Sequence, residues 1–353
     1  MKVRFFIFIG FASSLLAQSP QADLAKSRPQ GDEQSLEVDR PIRLLAFGSC
    51  LKQTRPAPAL EAIAELAPEV FVWMGDNVYA DTEDMKVLRE KYAEVRALSS
   101  YQEIDQRAAV VGTWDDHDYG ANDAGKEYPK KKESQQVFLD FLDEAEESPR
   151  RAQEGVYGRY DFGPDGQQVR VILLDTRYHR DPVGSDGTML GEAQWAWLEA
   201  SLRQSVAQVN ILVSSIQFLP TEHRFEKWAN FPRERQRLLD LLRQDGMPPV
   251  LILSGDRHLA EISRDEKSLD YPLYEITSSS LNQPLGGSEE EPNEARLGVN
   301  FRPPNFGTLS FDWGRESPVI TAAIWEAEGY PQRAVSFQLP LGKAQLLRRK
   351  GSR

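Results

Sequence analysis

Four apolar runs in this chain each stop at a short cluster of metal-ligating side chains, and that placement narrows the folds open to it. FGSC ends at Cys50, VFVWMGDNVYAD carries Asp76 and Tyr79, AVVGTWDDHDYG carries Asp116 and His117, and VLILSGDRH carries Asp256 and His258. Each run is short and apolar throughout, the pattern of a strand buried on both faces. Each cluster falls where such a strand gives way to a loop. Open α/β sheets place their sites at the carboxyl ends of their strands. Four clusters so placed point to one polynuclear metal centre.

Between the runs the periodicity turns helical. Segments near 57–67, 83–98 and 131–146, then GEAQWAWLEASL and PRERQRLLDLL with Pro232 at its start, read as helices. Strands alternating with helices imply βαβ units, a parallel sheet and right-handed crossovers. VYGRYDF and VRVILLD read as a hairpin-like pair across Gly163-Pro164-Asp165-Gly166, and VNILVSS as another buried strand. YPLYEITSS, FGTLSFDW, PVITAAIW and AVSFQL are expected to complete a second sheet. The Gly/Pro/Glu-rich stretch 283–305 is long enough for a rim or lid. No internal repeat and no domain boundary after Pro41 is visible, so the expectation is one catalytic domain over 41–340 with a basic tail at 341–353.

The amino terminus reads as a targeting segment. Lys2 and Arg4 precede the apolar FFIFIGFASSLLA, and Ala17 offers a small residue before a cleavage point, which predicts a Sec-type signal peptide over 1–17 and a flexible leader over 18–40. The apolar stretch is short for a bilayer span, which needs about 20 residues. A secreted or periplasmic protein with no stable membrane anchor after cleavage is expected. Removing 1–17 takes away two basic residues and no acidic one, moving the formal charge from -12 to -14. So acidic a chain argues against nucleic-acid binding through a broad basic surface. Cys50 is the sole cysteine, so an exported chain carries no intramolecular disulfide. Its thiol reads either as a small buried hydrophobe or as a metal ligand.

The clusters have a common chemistry. In Gly75-Asp76 and Gly255-Asp256 the glycine permits a sharp turn and the aspartate presents a hard anionic oxygen, with Tyr79 and His258 close behind. In Trp114-Asp115-Asp116-His117-Asp118, three carboxylates crowd one imidazole, which is costly unless cations compensate. Asn122 adds a neutral oxygen donor. Strand direction allows Asp116 to face the metals and His117 the substrate. Arg177, two residues after Asp175, can clamp a phosphate in bidentate fashion or form a structural ion pair with that aspartate. No GxSxG elbow accompanies Ser49, Ser214 or Ser215, so the nucleophile signature of a serine hydrolase is missing.

The set FGSC, GDNVYAD, WDDHDYGxND, LDTR, WxNFPRERQRLL, SGDRH and the late NFG and DW resembles the alkaline phosphatase D (PhoD-like) family of calcineurin-like metallophosphoesterases, from about Ile42 to Trp313. The resemblance implies a four-layer αββα sandwich of mixed sheets. It implies that Cys50, Asp76 and Tyr79 bind iron(III), with Asp76 bridging to a second metal. Asp116, Asn122, Asp256 and His258 are the remaining ligand candidates, Asp115 being the alternative to Asp116. Calcium is the implied partner ion, with other divalent metals as alternatives. A thiolate and a phenolate suit a trivalent ion, whereas carboxylates and an amide suit calcium. Well-known members of the family carry a twin-arginine signal and a separate β-rich N-terminal domain; neither is evident here.

The implied activity is a phosphoric ester hydrolase of alkaline phosphatase type, with a metal-activated hydroxide attacking phosphorus in line. His117 would bind the phosphoryl group or protonate the leaving oxygen, and Arg177 would hold a non-bridging oxygen. Partners are small-molecule or polymer phosphate esters. Two alternatives stand: a phosphodiesterase on glycerophosphodiesters, teichoic-acid-like polymers or phospholipids, and a non-catalytic metal-stabilised binding protein. An SGNH-type esterase would need serine where Asn77 stands.

Overall fold

The computed structural model describes residues 40–287 and 291–342, so the expected signal peptide, nearly all of the leader and most of the basic tail lie outside the described residues. The strands are β1 (Leu44–Gly48), β2 (Val70–Met74), β3 (Ala109–Thr113), β4 (Gly158–Phe162), β5 (Val169–Leu173) and β6 (Val209–Ser214). They continue with β7 (Val250–Ser254), β8 (Ala260–Asp265), β9 (Leu273–Ser278), β10 (Asn305–Asp312), β11 (Val319–Glu326) and β12 (Pro331–Phe337). The helices are α1 (Pro58–Leu66), α2 (Met85–Arg96), α3 (Ser99–Arg107), α4 (Asp116–Tyr119), α5 (Lys131–Phe141), α6 (Pro149–Ala152), α7 (Glu192–Arg203) and α8 (Pro232–Leu242).

The strands form two six-stranded sheets, ordered β12-β11-β10-β1-β2-β3 and β4-β5-β6-β7-β9-β8. In the first, β1, β2 and β3 run parallel while β10 lies antiparallel to β1. In the second, β5, β6, β7 and β9 run parallel, with β4 and β8 antiparallel at the edges. Alternation along the strands stacks the layers. Val70, Val72 and Met74 of β2 join a core shared with Val171, Val213 and Leu251 of the other sheet, while Phe71 and Trp73 face a second core with Leu60, Tyr92, Ile104 and Phe138 of the helices. Trp195, Leu198 and Leu238 of α7 and α8 join the first cluster. The architecture is α/β, two mixed sheets flanked by helices.

The sheet assignment of the C-terminal strands departs from the sequence reading. Only YPLYEITSS enters the second sheet, as β9; FGTLSFDW, PVITAAIW and AVSFQL extend the first sheet from the free edge of β1, with Leu44 opposite Ser310. Alternation fixes which face of a strand is buried, not which strand lies beside it. Two elements were hidden by polar residues. Helix α3 buries only Tyr101 and Ile104. Strand β8 buries Glu261 and Ser263, and Glu261 is held by Arg296 and Gln217. The stretch 283–305 is more than a turn. Arg296 and Phe301 bridge to Ser263 and Ala260, covering the exposed edge of β8.

Candidate metal centre

All the clusters gather at one edge, because the strands that carry them are parallel within each sheet. Cys50 follows β1, Asp76 follows β2, Asp116 follows β3, and Asp256 and His258 follow β7. The two sheets meet here: Ser49 Oγ, after β1, donates to the Ser278 carbonyl of β9 at 3.3 Å, and the Leu281 N–H donates to the Ser49 carbonyl at 3.0 Å.

The backbone at these points is unusual. Among the described residues eight non-glycines have positive φ, and four are Cys50, Asp76, Asp256 and His258. Two more are Asp81 and Asp123, which touch the same centre. Left-handed non-glycine residues cost energy and persist where the surroundings over-determine them, so their concentration here is a mark of function. Gly75, with φ +102, sets up the turn: a Cβ there would meet the Cβ of Asp115 at 2.5 Å. Gly75→Ala is expected to cost at least about 2 kcal/mol and to displace Asp76, read as a lower Tm together with lower metal content.

Two overlapping groups share Asp76. Ligand atoms of Cys50, Asp76 and His258 lie within 4.8 Å of one another, as do those of Asp76, Asp116 and His117. On the first side, the Cys50 Sγ is 3.5 Å from Asp76 Oδ2 and the Tyr79 hydroxyl is 3.1 Å from the same oxygen. Tyr79 also lies 3.2 Å from His258 Nε2. On the other side, the His117 N–H reaches Asp76 Oδ1 at 3.4 Å and Asp116 Oδ1 at 3.0 Å, and the Asp123 N–H donates to Asp116 Oδ2 at 2.6 Å. Asn122 lines the same cleft as Asp116, His117, Asp256 and His258, from an exposed position.

The electrostatics suit cations. Burial raises Asp76 and Asp256 well above the usual carboxylate range; Cys50, Asp116 and Asp115 add to it at Asp76, and Asp115 and Asp116 at Asp256. Burial pushes the Cys50 thiol up to about 12 and lifts the Tyr79 phenol as well. Burial holds His258 down, in the neutral form a metal requires. Thiol, phenol, imidazole and three carboxylates drawn together constitute a donor set that metal ions would stabilise. The residues therefore fit a metal pair.

Other residues occupy supporting places. Arg177 is 0% exposed, and its guanidinium contacts Asp115 at 2.6 Å and Glu226 at 2.6 Å, while Asp116 is 4.0 Å away. Asp115 also accepts a hydrogen bond from Ser215 Oγ at 2.5 Å. Asp175 accepts the backbone N–H groups of Arg177 and Tyr178 at 2.8 and 2.9 Å. Asp118 anchors the loops, accepting from Asn77 Nδ2 at 2.6 Å and Tyr92 at 3.2 Å. Sequence reasoning missed Asp81, whose carboxylate is 2.7 Å from His117 Nδ1. Burial alone would lower His117, but the hydrogen bond to Asp81 and the nearby Asp116 charge outweigh it, raising the imidazole to about 9. It also missed Glu226, which pairs with both Arg177 and Arg180. Asp81 lay within the quoted motif GDNVYAD; Glu226 carried no signal, because its partners come from a distant loop.

A cysteine-, histidine- and carboxylate-bearing centre between two stacked mixed sheets defines a metallophosphoesterase-type fold. The chain belongs to the PhoD-like phosphatase family, whose profile matches residues 45–306. Alkaline phosphatase D of Bacillus subtilis (strain 168) is 26% identical over 231 residues, a segment covering 56% of this chain but 40% of that relative. A solved structure of PhoD superposes with a TM-score of 0.64 at 17% identity, covering 87% of this chain and 73% of the other. GAP50, described as the anchor in the inner membrane complex of Plasmodium, gives a TM-score of 0.60 at 13% identity over 89% of this chain and 95% of its own. A dimetal phosphatase from Danio rerio gives 0.53 at 12% identity, covering 85% of this chain and 100% of its own. These structural likenesses concern the fold.

Proposed function

We propose that the chain is a metal-dependent hydrolase of phosphate esters. The observation that carries this reading is the pair of ligand groups sharing Asp76, four of whose residues or neighbours stand in left-handed backbone at strand ends. Cys50, Tyr79 and His258 with Asp76 would hold iron(III); Asp116, Asn122 and Asp256 with Asp76 would hold calcium or another divalent ion. When bound, such a pair supplies Lewis acidity toward phosphoryl oxygens and lowers the pKa of water to about 7 in favourable cases.

The chain's own groups do the rest. Asp81 fixes the ring of His117, so that its other nitrogen faces the cleft and can hydrogen-bond the phosphoryl group or protonate the leaving oxygen. Arg177, buried and held by Asp115 and Glu226, acts as a compensating charge behind the carboxylates, and we assign it that role in place of direct contact with the phosphoryl group. The ester enters a cleft of about 750 Å³ beside Asp116, His117 and Asp256. Such a cleft favours a catalytic centre over a closed, purely structural one. The basic, apolar amino terminus supports export by the Sec route, to a secreted or periplasmic location. Among the described residues no helix is long and apolar enough to cross a membrane.

The test is release of p-nitrophenol from its mono- and bis-esters of phosphate by purified protein with and without chelator. Chelator-sensitive turnover of either supports the reading, and their ratio separates monoesterase from diesterase. Metal bound without turnover of any ester would instead favour a binding protein. His117→Ala is expected to lose roughly 10²–10⁴-fold on an alkyl phosphate, where the leaving oxygen needs a proton, and far less on a nitrophenyl ester. Asp81→Asn should lose part of that same leaving-group dependence. Full turnover of the alkyl ester by His117→Ala would exclude the acid role.

A further inference from the structure

One wall of the cleft carries basic side chains, and buried nitrogens near it lack hydrogen-bond partners. Arg257, between the ligand candidates Asp256 and His258, lines the cleft together with Arg224 and Phe225. The Phe225 ring lies between the two guanidinium groups, 4.9 Å from that of Arg224 and 4.2 Å from that of Arg257. Behind them stand His223 and Lys227, 6% and 5% exposed. Both ring nitrogens of His223 and the Nε of Arg257 are buried with no hydrogen-bond partner. The Lys227 ammonium donates to the Phe225 carbonyl at 3.1 Å, with no carboxylate paired to it among the described residues. Glu291 pairs with Arg257 and Glu222 acts on Lys227 from beyond ion-pair distance, so among the described residues Lys227 and the exposed Arg224 have no carboxylate in direct contact.

Buried polar nitrogens are nearly always satisfied, and a cluster left short of acceptors points to a ligand that supplies them. Burial, with the charges of Arg257 and Lys227, holds His223 down to about 3, and burial lowers Lys227. An anion arriving among them would offset that desolvation. Water satisfies such groups too, but it brings no negative charge into contact with Lys227 and Arg224. The scissile phosphate is assigned to Asp76 and Asp116, whereas Arg224 and Phe225 come from the loop after β6 and line the same cleft from another element.

We propose that this wall, where Arg224 and Arg257 line the cleft with buried His223 and Lys227 nearby, is a second anion subsite, which takes a phosphate, phosphonate or carboxylate carried elsewhere on the substrate. It rests on the reading of the site as a phosphoesterase centre and narrows the substrate to esters with two separated negative groups. Phe225, whose ring carries both guanidiniums, gives that subsite an apolar surface.

The experiment is calorimetric binding of benzylphosphonate and para-carboxybenzylphosphonate to metal-loaded protein, which needs no turnover. The carboxylated ligand should bind roughly tenfold more tightly, with the advantage falling as salt rises. Arg224→Gln, at an exposed position, and Lys227→Gln should each reduce the ratio of the two affinities severalfold. Equal affinities in the unmodified protein, or a ratio unchanged in both variants, would overturn the subsite. Because binding is read directly, the subsite can stand if no ester is hydrolysed. Conversely, hydrolysis with no preference would leave the phosphoesterase reading intact and remove the subsite alone.

Discussion

Asp76→Asn is expected to lose metal from both positions and at least about a thousandfold of phosphate-ester turnover. The reason lies in its two oxygens. Oδ2 meets Cys50 Sγ at 3.5 Å and the Tyr79 hydroxyl at 3.1 Å, while Oδ1 takes the His117 N–H at 3.4 Å on the opposite side. An amide keeps one oxygen and no charge, so it cannot serve both groups. The fold should survive, because Asn tolerates the left-handed conformation that Asp76 adopts at φ +49. The check is elemental analysis and ester hydrolysis on a variant whose circular dichroism is unchanged. A variant that kept both metal content and turnover would show that Asp76 bridges nothing.

Stripping the metals should cost stability that grows as pH rises. Burial lifts Asp118 to about 7, and burial, partly offset by Arg177, lifts Asp115 to about 6. Each folded value lies above its unfolded one. The stabilising contribution is therefore full below the unfolded pKa and lost as pH climbs through the folded values. Asp76 and Asp256 are raised further and act in the same sense. Bound cations reverse the penalty by favouring the charged carboxylates. The gap in Tm between loaded and stripped protein should thus be small near pH 5 and widen by several degrees towards pH 8, since one pKa unit is about 1.4 kcal/mol. Thermal scans across that range provide the check. A constant gap would mean that the acids stay paired by other means.

Much of this was visible in the chain because strand, turn and ligand are local. FGSC, GDNVYAD and SGDRH each hold an apolar strand, its end and the donor within a few residues, so the gathering of Cys50, Asp76, Tyr79 and His258 could be expected from pattern. What did not follow were relations across the fold. The addition of β10 to the edge of β1 depends on a pairing partner more than 250 residues away, about which alternation is silent. The surroundings of Arg177 and Asp115 were obscure for the same reason: the carboxylate of Asp115, the alternative to Asp116, lies 2.6 Å from the Arg177 guanidinium, which comes from a different strand end. Strand β8 was hidden because Glu261 is buried only by virtue of Arg296 and Gln217.

The most direct test of the centre is elemental analysis of natively expressed protein beside Cys50→Ser, with ester hydrolysis measured on the same samples. The expected result is about one iron per chain in the unmodified protein, bound through the soft thiolate and the phenolate. In Cys50→Ser, iron and turnover should fall together severalfold, because a serine hydroxyl is a far weaker anionic ligand. Iron content and hydrolysis both unchanged in Cys50→Ser would contradict the assignment of the strand-end cluster as a thiolate-bearing catalytic metal centre.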